Sequence, residues 1–324
     1  MEDNGSWCLI ESDPAVFSEL IRNFGVTGVQ VEEIYSMDDE ACAPLQPIHG
    51  LIFLYKWRAG DEPMGTPATD PKIYFAQQVI TNACATQAII NLLLNLEHPD
   101  IGLGDTLSEF KSFSKDFDPA CRGLVLGNSE QIRSVHNSFA RAQLYEVLQP
   151  AGKDEDAFHF ITYVPIGDKV YELDGLRECP LEVGTVQEGQ DWMDVVRPVI
   201  NARIAKYQQG EITFNLLALV KDLRAKLQEE LEALGETGDP SEVARLIDEL
   251  QQENKRQARW ILENRRRRHN YIPFIVDLLR TLAREDKLVP LVKSAIAKKK
   301  AATQMKKERA EAKASVKTEP EESQ

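Results

Sequence analysis

Four side chains in this sequence have the chemistry to break an amide bond together: Gln78, Cys84, His159 and Asp174. A cysteine becomes a nucleophile once a base takes its proton. A histidine can take that proton and later return it to a leaving amine. A carboxylate beside the imidazole holds its tautomer and stabilises its cation. A side-chain amide, with a backbone N–H, can bind the oxyanion of the tetrahedral intermediate. The reaction this set would perform is acyl transfer to water. Taken alone, Cys84 reads more readily as a small buried core residue, because cysteine is among the most buried residue types. Its downstream company reverses that reading.

The elements that must position these groups are legible nearby. Thr81 and Asn82 can each cap a helix start. From Ala83 onward the residues are good helix formers or apolar, and Ala85, Ala88, Ile89, Leu92, Leu93 and Leu96 cover more than one face. The pattern predicts a helix buried inside the domain, with Cys84 in its first turn, where unpaired N–H groups and the helix dipole favour a thiolate. Gln78 lies six residues upstream. Further on the period changes to two. Phe158 to Ile166 is a predicted strand, Gly167-Asp168 a two-residue turn, and Lys169 to Asp174 the returning strand. In that register Ile166 faces Lys169, so Ile161 opposes Asp174. His159 then lies diagonally beside Asp174 on one face, within side-chain reach.

The remaining chain supplies a frame. Asp13 and Pro14 start a helix that ends near Gly25. Val29 to Tyr35 alternates like a strand, and Gly50 to Trp57 is a dense apolar run of central-strand character. Residues 59–71 and 144–156 are polar and read as loops. Helices are expected over Leu107 to Phe117 and Ser129 to Ala142. Leu216, Leu219, Val220, Leu223, Leu227, Leu231 and Leu234 keep three-to-four spacing, which reads as helical. The spacing resumes at Val243 after a break near Pro240, and shorter apolar helices follow over Tyr271 to Leu282 and Leu288 to Ile296. Such short helices bury little among themselves, so they are expected to lean on a neighbour or a partner. Residues 301–324 are charged and small, which predicts disorder.

Length and composition exclude several classes. A chain of 324 residues suggests about two domains. It has no run of eighteen apolar residues and no apolar leader, so neither a membrane span nor a secretory signal is expected. Five scattered cysteines without a CxxC pair argue for a reducing compartment, and against a disulfide framework or a zinc site. A net charge of −14 disfavours direct nucleic-acid binding and suits a basic partner. The basic run Arg265 to Arg268 is the chief local exception.

Three separated segments carry a family resemblance. Gln78…Asn82-Ala-Cys84-Ala-Thr-Gln87, Ala157-Phe-His159-Phe and Tyr171-Glu-Leu-Asp174-Gly-Leu resemble the ubiquitin carboxyl-terminal hydrolases in order and spacing. The resemblance covers residues 6 to 225. It implies an α/β (α+β) papain-like fold, with a central antiparallel sheet flanked by helices. It also implies cysteine-type deubiquitinase activity on the C-terminal glycine of ubiquitin without metal or cofactor, and Gln78, Cys84, His159 and Asp174 as the catalytic set. Arg265 to Ile275 and Leu288 to Val292 resemble the helical extension of the proteasome-associated branch. That implies a catalytic domain over 1–225, an all-helical docking extension over 226–300 and a tail over 301–324. The implied partners are ubiquitin, a proteasomal ubiquitin receptor and a related receptor-like domain of a chromatin-remodelling complex, with no membrane. The implied location is cytoplasm and nucleus, and residues 144–156 correspond to a loop crossing the active site. Two other classes stay open at this level: a catalytically silent scaffold binding ubiquitin and the proteasome, and a transglutaminase-like transferase using the same residue types.

Overall fold

The computed structural model describes residues 6–56, 64–140, 158–207, 214–235 and 239–316. The expected loop over 144–156, the middle of the 59–71 loop and the end of the tail lie outside the described residues. In chain order the elements are α1 (Pro14–Asn23), β1 (Val29–Glu33), α2 (Asp39–Cys42), β2 (Ile48–Lys56), β3 (Thr66–Pro67), α3 (Cys84–Leu93), α4 (Gly104–Ser114), α5 (Pro119–Asn128) and α6 (Glu130–Asn137). Then follow β4 (Phe158–Ile166), β5 (Lys169–Leu173), β6 (Leu181–Thr185), α7 (Trp192–Tyr207), β7 (Phe214–Lys221), α8 (Leu223–Leu234), α9 (Pro240–Arg268), α10 (Ile272–Arg284) and α11 (Leu288–Val316).

The strands form one sheet in the order β1-β7-β2-β4-β5-β6-β3, with every neighbouring pair antiparallel. Two apolar layers cover it. On one face Phe17, Leu20, Ile89, Leu92, Phe160, Leu173, Leu217 and Leu219 pack together, which brings in α1 and α3. On the other, Phe53, Ile161, Tyr163, Leu216, Ala218 and Val220 meet Met193, Val196 and Ile200 of α7. Each such side chain taken fully out of water contributes about 1.5–3 kcal/mol. Helix α1 starts as its sequence predicts: the Asp13 carboxylate accepts from the Ala15 N–H at 2.9 Å and the Val16 N–H at 3.3 Å, and Pro14 opens the first turn.

Several expectations need correction. Leu216 to Val220 is strand, not helix, and β7 sits between β1 and β2. Alternate residues of β7 enter opposite layers, so both faces are apolar and the run loses the period-two signature of a half-buried strand. Helix α5 forms although its two glycines lower helix propensity, and β6 and α7 add elements beyond those expected. The division at 225/226 moves. One compact unit runs through Arg268, and the second begins at His269. Helices α8 and α9 therefore belong with the sheet, α9 packing on α1. Residues beyond 301 continue α11 as helix to Val316, because Ala, Lys and Glu are strong helix formers.

The second unit, by itself, is the helix pair α10 and α11. None of the α10 residues is buried, and Phe274, Ile275, Val276, Leu278 and Leu279 are exposed. No helix among the described residues is long and apolar enough to cross a membrane.

Candidate active site

Cys84 is the first residue of α3, entered through a 3-10 turn over Thr81–Ala83. The expected side-chain cap is not there. The position before the helix is Ala83, with no side-chain cap bond, and the Asn82 amide instead donates to the Trp7 carbonyl at 3.1 Å. The uncapped end leaves backbone N–H groups turned to the thiol. Burial is the largest influence on Cys84 and pushes its pKa up to about 11; the N–H groups of Ala85, Cys84 and Phe160 pull the other way without matching it. The resting group is thus a neutral thiol that needs a base.

The histidine of the candidate set stands on β4. Strands β4 and β5 pair with Ile166 facing Lys169 and Thr162 facing Leu173. The next residue along β5 is Asp174, whose Oδ1 lies 2.6 Å from His159 Nε2, both side chains buried. Burial alone would raise the Asp174 carboxyl. The hydrogen bond and charge of His159, the Leu176 N–H at 3.0 Å and Arg177 outweigh it and hold the carboxyl below its ordinary value. Arg177 Nε approaches the second carboxylate oxygen at 3.3 Å. Asp174 is therefore ionised at neutral pH and fixes His159 through Nε2; among the described residues Nδ1 has no hydrogen-bond partner. The Tyr55 ring stands edge-on to the imidazole, 6.0 Å between centroids, on the paired strand β2. Among the described residues the Cys84 thiol has no side-chain hydrogen-bond partner; it meets β4 through the Phe160 N–H, next to His159 in sequence.

Gln78 arrives on an irregular segment between β3 and α3. Its backbone N–H donates to the Gly175 carbonyl at 2.8 Å, immediately after Asp174. Its side-chain Nε2 donates to the Ile80 carbonyl at 3.1 Å. Two glycines permit this approach. A Cβ at Gly123 of α5 would lie 1.9 Å from the Gln77 carbonyl oxygen, and one at Gly175 would lie 3.0 Å from Gln78 Cβ. The amide, the thiol and the His–Asp pair thus come from one segment, one helix start and one hairpin. The first two stand at the turn into α3. The third is tied to Gln78 through Gly175.

Residue type alone does not single out Arg177, His136 and three buried amides, Gln87, Asn91 and Asn95, around the site. The signal for the amides was present: polar residues every fourth position along an otherwise apolar helix. His136 had no such signal. Its Nε2 lies 2.7 Å from the Cys8 carbonyl and its Nδ1 2.8 Å from Thr86 Oγ1 of α3, and both partners are remote in sequence.

The chain is similar to known proteins. The profile of ubiquitin carboxyl-terminal hydrolase, family 1, matches residues 7–205, and a second profile, of ubiquitin carboxyl-terminal hydrolases, matches residues 243–288. The ubiquitin carboxyl-terminal hydrolase ubh-4 of Caenorhabditis elegans is 54% identical over 299 residues, covering 91% of this chain and 93% of that protein. Isozyme L5 of Dictyostelium discoideum is 40% identical, covering 91% and 96%. The crystal structure of Trichinella spiralis UCH37 bound to ubiquitin vinyl methyl ester matches with a TM-score of 0.67 and 48% identity, covering 78% of this chain and 99% of that one.

Proposed function

Since this chain belongs to the ubiquitin carboxyl-terminal hydrolases and is a deubiquitinating thiol hydrolase, we propose that Cys84, His159, Asp174 and Gln78 divide its chemistry as follows. His159 takes the Cys84 proton through Nδ1, and the thiolate attacks the carbonyl carbon of ubiquitin's C-terminal glycine. The oxyanion is held by the Cys84 N–H and the Gln78 amide, which exchanges the Ile80 carbonyl for it. His159 returns its proton to the leaving amine. Water, activated by the same imidazole, then hydrolyses the thioester. Asp174 keeps Nε2 protonated and offsets the imidazolium charge. The observation that carries this reading is the buried 2.6 Å His159–Asp174 contact beside the start of the Cys84 helix.

The partners follow from the second unit. The exposed apolar residues of α10, with Val289, Leu291 and Val292 of α11, suit a hydrophobic groove. That groove belongs to a proteasomal ubiquitin receptor, or to a related receptor-like domain in a chromatin-remodelling complex. The enzyme works in the cytoplasm and nucleus, a reading supported by its five free cysteines. A ubiquitin derivative with a C-terminal electrophile tests the chemistry: it should modify Cys84 and no other cysteine. Modification mapped elsewhere, or turnover retained in Cys84→Ala, would overturn the assignment.

A further inference from the structure

Among the described residues, the segment that brings Gln78 to the site pairs with no strand. Residues 74–78 lie in no helix and outside the sheet, and buried backbone groups there must still find partners. They find them in side chains of the nucleophile's own helix. Asn95, just past the end of α3, accepts from the Tyr74 N–H at 2.7 Å and donates to the Tyr74 carbonyl at 2.7 Å. Asn91 accepts from the Ala76 N–H at 2.8 Å and donates to the Ala76 carbonyl at 3.0 Å. Gln87 donates to the same Ala76 carbonyl. All three amides are buried.

The repeat has a geometric basis. Four residues of helix rise about 6.0 Å, and two residues of extended chain about 6.6 Å. Side chains at positions 87, 91 and 95 can therefore keep step with alternate residues of a strand-like segment. The intervening carbonyls, of Ile73 and Phe75, face the other way and accept from Arg122 of α5 at 3.4 and 3.3 Å. The Gln77 N–H donates to the Pro119 carbonyl at 2.8 Å. The ladder's last rung, Gln87, lies beside Gln78: a Cβ at Gly175 would stand 3.0 Å from Gln78 Cβ and 3.4 Å from Gln87 Cγ.

We infer that Gln87, with Asn91 and Asn95 behind it, is a positioning residue for catalysis: the ladder locks the oxyanion arm carrying Gln78 to the helix carrying Cys84, so that donor and nucleophile keep one spacing. The inference rests on the reading of Gln78 as oxyanion donor. It goes beyond that reading by assigning a role to residues that touch neither substrate nor thiol. A strand neighbour would have held the segment too, but would not have tied it to Cys84. Both lone pairs of the Ala76 carbonyl are occupied, by Gln87 and Asn91, so losing Gln87 leaves that oxygen bonded and the fold intact.

The test is a double-mutant cycle on the full chain with a small fluorogenic amide of ubiquitin. Gln87→Met should lower kcat by about 10–100-fold at nearly constant KM, as expected for a misplaced transition-state donor. In a Gln78→Ala background the same change should cost less than about twofold, because the arm it positions no longer carries a donor. Alkylation of Cys84 by iodoacetamide forms no oxyanion, so its rate should be unchanged. Gln87→Leu, which also lacks a donor, should reproduce this pattern and serves if Gln87→Met does not fold. An undiminished kcat, an equal loss in both backgrounds, or a matching loss of alkylation would overturn the ladder's role. A Gln78→Ala enzyme of full activity would instead overturn the reading of Gln78 itself.

Discussion

Burial pushes the Cys84 thiol up to about 11, which favours a resting thiol over a preformed thiolate–imidazolium pair. On that reading the proton leaves for His159 during attack. This predicts that iodoacetamide alkylation of Cys84 in the resting enzyme rises about tenfold per pH unit between pH 7 and 10. A rate already level below pH 8 would mean a stable thiolate–imidazolium pair. At Asp174 the prediction concerns tautomer. Asn at this position can present its amide to Nε2 and turn the imidazole's other face, so Asp174→Asn should lower kcat by on the order of 10²–10⁴ with little loss of stability. Gln78→Ala should cost on the order of 10²–10³ in kcat, as for one lost oxyanion donor. A near-normal kcat in either variant would remove that residue from the chemistry.

Helices and strands here are held by specific polar anchors as well as apolar layers. His136 ties the segment at Cys8 to Thr86 on α3. Since a carbonyl only accepts, Nε2 carries the proton and Nδ1 accepts from the Thr86 hydroxyl. Burial pushes the His136 pKa down to about 4, against about 6.5 in an unfolded chain. Between these values the unfolded state holds the extra proton, so the neutral histidine's contribution is full above pH 6.5. It is lost as pH falls toward 4, by up to about 3 kcal/mol. His49, pushed down to about 4 by burial and then by the neighbouring His98, acts over the same window. Urea midpoints at pH 7 and pH 5 should therefore differ less in His136→Gln than in the parent; an equal difference would remove His136 from the acid response. Helix α9 shows the same style of anchoring. Asn264 donates to the Ala15 carbonyl at 2.9 Å, Gln257 to Gln30 at 3.2 Å, and Arg256 to Glu32 at 2.8 Å. Arg267 and Arg268 pair with Asp13 and Glu19 of the α1 region, each at 2.6 Å. Half of the basic run is thus engaged within its own unit, and only Arg265 and Arg266 remain exposed for a partner.

At the scale of the molecule, the division after Arg268 sets where chemistry and the proposed targeting can be tested apart. Truncation after Arg268 should leave hydrolysis of a small ubiquitin amide and the melting temperature near those of the full chain, and abolish capture by proteasomes. Truncation after Asp222 should also destabilise the catalytic unit. It removes Leu227 and Leu246, both buried, each contributing about 1.5–3 kcal/mol, together with the α9 anchors. Calorimetry, turnover and a proteasome pull-down on the two truncations check this. Full capture by the shorter chains would remove the targeting role from α10 and α11. Equal melting of both would put α8 and α9 outside the catalytic unit.

Local pattern by itself determined the parts whose partners are close in sequence. The Asp13-Pro14 helix start needs only its own first turn. The β4–β5 hairpin needs only a two-residue turn and a period of two, and that was enough to bring His159 to Asp174. The site's residue types were legible for the same reason: each chemical role admits few side chains. Tertiary structure decided the rest. Whether Leu216 to Val220 is strand or helix depends on what lies on both sides, since an apolar run buried on two faces has lost its period. Whether Asn82 caps α3 or reaches Trp7 depends on a segment 75 residues earlier in the chain. The state of the thiol is likewise collective, because a helix start favours the thiolate while burial opposes it more strongly. Burial is a property of the assembled molecule, and no window of sequence contains it.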